Sequence, residues 1–178
     1  GRRYSALEPE LMNWVQVTAS YGFLQGYHRF VAPLSGADRD RFYAEAQTGA
    51  KLYGAPGAPM SEAEQETLFA AMLPQLEPSS IVFEFLDIMH RTRVLPLVLH
   101  PLQPLYLRAA VSLLPTNVLE RLQLGGRDRL FVWQRKLVQK SGALAERIVL
   151  REAPPTLACQ RLGLPADYLY KQQRSRCR

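Results

Sequence analysis

Apolar residues recur along the chain at spacings of three and four, and the recurrences stop at proline and glycine, the pattern of an all-α protein. Glu8-Pro9 opens the first helix, because proline at the first helical position lacks only an N–H that would be unpaired there anyway. Leu11, Trp14, Val15 and Thr18 then follow at helical spacing. Ser35 and Ser61, each with an acid three residues on (Asp38 and Glu64), read as capping boxes that start two further helices. The first of these is expected to end near Gly54, which suits a left-handed C′ position, before the proline-rich connection 55–59. Phe42, Ala46, Ala50 and Tyr53 are expected to line one buried face, and Leu68, Phe69, Met72 and Leu76 another. Ser79-Ser80 begins the stretch 81–95, which is apolar on most sides and so belongs by its pattern in the core. Prolines 96, 101 and 104 precede a helix over 106–114, and Thr116 is placed to cap a short helix ending at Gly125-Gly126. A helix over 127–140 is expected to close at Gly142, followed by short helices near 143–152 and 155–162, the last stopped by Gly163. With no strand alternation and no repeat, the reading is a single multi-helix, bundle-like domain over 1–170 and a basic tail over 171–178.

Gly22 and Gly26 stand at i,i+4 on the first helix and leave one face bare. That allows close approach of another helix or of a flat ligand, and a tight helix crossing is the preferred reading.

Charge changes this picture in two ways. The 178-residue chain carries a net charge of +6, which invites a nucleic-acid or anionic-surface reading. Yet Arg2, Arg3, Lys171, Arg174, Arg176 and Arg178 lie at the ends, and without them 16 basic residues meet 16 acidic ones. Nucleic acid is therefore not an expected partner. The body is divided: residues 4–90 hold four basic against eleven acidic residues, and 91–170 hold twelve against five. The halves are expected to contact each other, or the second half to hold an anionic ligand. No apolar run reaches the length of a membrane span, and Cys159 and Cys177 form no disulfide framework, so a soluble, cytoplasmic protein is expected.

Few residues suggest chemistry. His28, His90 and His100 share no metal-ligand spacing and no cysteine lies beside them, so an all-protein metal centre is not expected. Cys159 lacks a nucleophile context, and Glu62, Glu64 and Glu66 sit at a helix start, where they offset the helix dipole. The basic stretch 127–140 is the best binding candidate. Leu130, Trp133 and Leu137 form one stripe, with Arg129, Arg135, Lys136 and Lys140 around it. It suits an anionic membrane surface or acidic ligand, and equally a surface helix pairing with the acidic half, which is preferred.

The opening run, with Gly1, Tyr4, Ala6, Glu8, Pro9, Leu11, Trp14, Val15 and Thr18, resembles the signature G-x-x-Y-x-A-x-(D/E)-P-x-L-x-x-W-V-x-x-T. Phe30-Val31, Pro33-Leu34-Ser35, Phe42 to Glu45, Leu52 to Pro56, and Leu113 to Pro115 leading to Leu124-Gly125 match in the same order. The signature is that of a helical oxygenase family that includes the rubber-cleaving latex-clearing proteins and the ER-bound oxygenase of mycophenolic acid biosynthesis. The resemblance implies an all-α oxidoreductase that binds haem b and turns molecular oxygen on an apolar small-molecule or polymer substrate. It also implies that the haem-ligating histidine lies upstream of Gly1, so the expectation is the C-terminal part of a catalytic domain without its N-terminal helices. Tyr4, Trp14 and Thr18 fall on motif positions and would line the cofactor cavity or fix the helix junction, with packing the preferred role. His28 is the one in-chain histidine considered as a replacement ligand, and a hydrogen-bonded or exposed role is preferred for it. The rival reading is a non-catalytic helical module that binds a partner protein or anionic lipid through its basic second half.

Overall fold

A computed structural model describes residues 8–92, 95, 97, 99–126 and 129–171. The described residues form α-helices, two short 3-10 turns and connecting loops, with no strand among them. The helices are α1 (Pro9–Phe30), α2 (Gly36–Leu52), α3 (Glu62–Met72), α4 (Ser80–Arg91), α5 (Gln103–Val111), α6 (Thr116–Arg121), α7 (Val132–Ala145) and α8 (Pro154–Arg161).

Local chemistry sets most of the starts. Proline stands at the first turn of α1, and Ser35 Oγ and Ser61 Oγ accept the backbone N–H groups of Asp38 and Glu64 at 3.1 and 3.2 Å. The acids do not reach back to the cap residue's own N–H. Asp38 instead accepts the Ser35 hydroxyl at 2.6 Å, and Glu64 accepts the Met60 N–H at 2.8 Å. Gly54 and Gly163 take positive φ (79° and 71°) after α2 and α8, a conformation that costs a residue with a Cβ.

α1 is the central strut, packed by α2, α3 and α7, while α5 joins α7 to α4. Its Val17 and Tyr21 meet Phe69 of α3 and Val118 of α6, and its last residue, Phe30, meets Ala109, Leu113 and Val138. Near the start of α1, Met12 packs on Ala50, Ala55 and Ala58, and the Asn13 side chain accepts the Gly57 N–H at 2.9 Å. Arg39 ties α2 to α3 through Glu62 at 2.8 Å, and Asp40 accepts the Glu62 N–H.

Several sequence expectations are corrected. The tight crossing lies not at Gly22 or Gly26 but at Gly142. A Cβ on Gly22 would meet nothing within 4 Å and one on Gly26 would make an ordinary 3.7 Å contact, whereas on Gly142 it would fall 2.6 Å from the Phe30 carbonyl oxygen. Consequently α7 runs through Gly142 to Ala145 rather than stopping before it, and no helix occupies 146–153. α4 ends at Arg91 and buries none of its residues, with Ile81, Phe85 and Ile88 in solvent. Its apolar residues lie mostly on one face, so the stretch is amphipathic rather than apolar all round. Tyr53, expected in a buried face, is exposed, while Tyr43 beside it is buried. Thr116 is the first helical residue of α6, and Pro115 takes the cap position without a side-chain bond.

The Gly142 contact yields a paired expectation. Gly142→Ala pushes a methyl into backbone that cannot rotate away and lowers stability by about 1–3 kcal/mol. Gly22→Ala, in open helix, raises stability by about 0.5–1 kcal/mol. Thermal melts by circular dichroism that move in these opposite directions confirm the close approach of α1 and α7.

Candidate functional site

The motif residues of α1 are held by packing. Trp14 is half-buried with its ring centroid 5.2 Å from that of Phe69, which in turn lies 5.0 Å from that of Tyr21, both pairs tilted as aromatic quadrupoles favour. Thr18 Oγ1 donates back along its own helix to the Trp14 and Val15 carbonyls at 3.0 Å. Tyr4 lies outside the described residues. The motif thus gathers Trp14 and Thr18 at one junction, while His28, at the far end of α1, is separate from it. Val15, Gly22 and the 75 % exposed Phe23 form an open face on the other side of the helix.

Beneath that junction Tyr21 donates to the Leu113 carbonyl at 2.7 Å, which ties α1 to the segment after α5. Tyr43 is only 1 % exposed, and its hydroxyl has no partner among the described residues. Burial, with smaller contributions from the Glu62 and Glu66 carboxylates, pushes its phenol far above the ordinary tyrosine range, and burial likewise raises that of Tyr21.

A haem needs an axial donor with a free lone pair facing an apolar slot. His28 does not offer one. Its Nδ1 accepts the Leu34 N–H at 2.8 Å, so in the neutral ring Nε2 carries the proton, the reverse of the arrangement of metal-bound imidazoles. His90 is exposed near the end of α4, and His100 has a buried Nε2 with no partner among the described residues. His28 therefore does not fit a haem, and no group of three or more His, Cys, Asp or Glu that could hold a metal occurs among the described residues.

A concavity lies elsewhere, between α4, α5 and the start of α7, with a volume of about 930 Å³. Leu86, Leu107, Val111 and Leu130 supply its apolar lining, and Arg108, Arg129, Arg135, His90 and Asp87 its polar side chains. Asp87 pairs with Arg91 at 3.6 Å, whereas the three arginines have no carboxylate within ion-pair distance among the described residues. The basic stretch of the sequence is thus part of a cleft, with a correction to its stripe. Trp133 and Leu137 point to solvent, and Gln134 and Val138 are the buried residues of α7. Among the described residues, the ion pairs Arg39–Glu62 and Arg41–Glu45 lie within the acidic half, and Arg91–Asp87 crosses the division within one turn of α4.

Among the described residues no helix is long and apolar enough to cross a membrane. Cys159 is buried as a free thiol.

Comparison with known proteins identifies one family. The model described as "ER-bound oxygenase mpaB/B'/Rubber oxygenase, catalytic domain" matches residues 1–141, from before α1 into α7. No curated protein and no solved structure matches the chain.

The orphaned phenol gives a pH-dependent expectation. The folded chain holds the Tyr43 proton above pH 10.0, where the unfolded chain releases it, so stability is full below about pH 10 and falls as pH climbs through the raised folded value. Tyr43→Phe removes a buried hydroxyl that makes no bond, and so holds or raises the melting temperature at pH 7 and flattens the alkaline decline. A lower melting temperature at pH 7, or an unaltered decline above pH 10, refutes this account of Tyr43.

Proposed function

The chain belongs to the ER-bound oxygenase mpaB/B'/rubber oxygenase catalytic-domain family, and from that membership we propose that it serves haem-b-dependent oxygen chemistry on an apolar substrate. The match over residues 1–141 carries the reading. The open face of α1 supports it, since Val15 and Phe23 put exposed apolar surface on the side of the helix away from the Trp14 ring, where an apolar substrate or the cofactor's ring would cover it. Because His28 does not fit the iron, the axial ligand in this reading comes from another residue. What this chain contributes is the wall: a stiff α1, fixed from behind by the Trp14, Phe69 and Tyr21 rings.

A second reading rests on α7. The exposed Phe131, Val132 and Trp133, followed by the exposed Arg135, Lys136 and Lys140, form an apolar and basic surface of the type that contacts an anionic membrane or a partner protein. In this reading the chain is a non-catalytic helical module.

The protein expressed from its whole reading frame with haem supplementation is expected to show a Soret band, and an oxygen uptake that rises when an apolar substrate is added. A colourless protein with intact helical circular dichroism overturns the haem-dependent reading. Pelleting with anionic liposomes separates the second reading, in which Arg135→Glu, Lys136→Glu and Lys140→Glu together release the protein from vesicles; pelleting that survives all three rules out a lipid role for α7.

A further inference from the structure

We propose that the cleft between α4, α5 and α7 is a binding site for a long-chain carboxylate, with the acid among Arg108, Arg129 and Arg135 and the aliphatic tail along Leu107, Val111 and Leu130. The inference does not rest on oxygen chemistry, since binding there requires no cofactor.

Three observations carry it. The first is unbalanced charge. Three guanidiniums line one cavity with no carboxylate within ion-pair distance among the described residues, and the acid among the described lining residues, Asp87, pairs with Arg91. Like charges facing one cleft repel, and an anion among them relieves that repulsion while accepting several charge-assisted bonds. The second is the start of α7. Phe131 lines the cleft immediately before the helix begins, and the first turn of α7 contains no acidic residue: Gln134 accepts the Phe131 N–H at 2.9 Å, but no side-chain charge offsets the positive end of the dipole. The third is the lining itself. Val111 is buried and Leu107 and Leu130 half-buried, which gives a surface that gains from covering by hydrocarbon and has nothing to offer a small hydrated anion. Inorganic phosphate would use the arginines alone and a neutral alkane the leucines alone; only an amphiphile uses both. A volume of about 930 Å³ leaves room for the tail as well as the head.

Isothermal titration of the full chain with monomeric dodecanoate tests this. Affinity is expected to rise roughly threefold for each methylene added between octanoate and dodecanoate, as apolar transfer requires. Dodecanol and inorganic phosphate, each lacking one half of the ligand, should bind at least about tenfold more weakly. The combined variant Arg108→Gln, Arg129→Gln, Arg135→Gln should weaken dodecanoate by about tenfold or more. Its melting curve should not change, because all three side chains are exposed. Lys51→Gln, which removes an exposed charge of α2 outside the cleft lining, should leave binding as it was. Dodecanol binding as tightly as dodecanoate, or full dodecanoate affinity in the arginine variant, overturns the proposal. So does haemin that displaces dodecanoate and loses its affinity in the same variant, which would assign the cleft to the cofactor.

Discussion

The placement of the second half of the molecule depends on one absence of atoms, the missing side chain at Gly142. It lets the α7 backbone approach the Phe30 carbonyl at the end of α1, and the neighbouring groups close around that contact. Gln139 donates to the Arg29 carbonyl at 3.1 Å, Tyr27 donates to Glu146 at 2.5 Å, and Arg29 reaches the Ser112 carbonyl after α5. Within about one turn, the end of α1 therefore fixes both α7 and the exit of α5. Those two helices form two of the three walls of the arginine-lined cleft, so its width is set from its far side.

A second constraint comes from polar groups inside apolar clusters, where an unpaired donor costs more than a bond returns. Tyr21 and Tyr43 show both outcomes. One spends its hydroxyl on the Leu113 carbonyl and so links the two halves; the other leaves its hydroxyl unpaired among packed helices. The membership of an oxygenase family gives this aromatic layer a context. Trp14, Phe69 and Tyr21 form a continuous rigid backing behind α1, and rigidity on one side of a helix is what allows its opposite side to serve as a fixed surface.

Most of the helices were legible in the sequence because their signals are local. Pro9, Ser35, Ser61 and Gly54 act within one turn, and each stands where its chemistry requires. The misreadings concern partners distant in sequence. Nothing in the spacing of Gly22 and Gly26 shows that their face is open, or that Gly142, 112 residues beyond Phe30, supplies the close approach instead. Composition alone could not tell that residues 81–91 lie on the surface, because apolar content measures how much a segment would gain by burial and not whether a neighbour exists to bury it. The candidate site was half legible. Arg129 and Arg135 stood out as a basic stretch, but Arg108 and the leucines that complete the cleft come from other helices with no local signature.

The way α4 is attached gives it a distinct energetic status. It buries none of its own residues, yet buried Gln103 at the head of α5 donates to the carbonyls of Met89 at 2.7 Å and Thr92 at 2.6 Å, with a weaker approach to that of His90. One amide thus clasps the end of a helix whose Val82, Phe83 and Leu86 pack only half-buried against Val111, Leu119 and Leu124. A segment held in this way opens as a unit at a cost well below global unfolding. Its amide protons should exchange with solvent deuterium far sooner than those of α1, and the wall it lends to the cleft is accordingly the one able to swing.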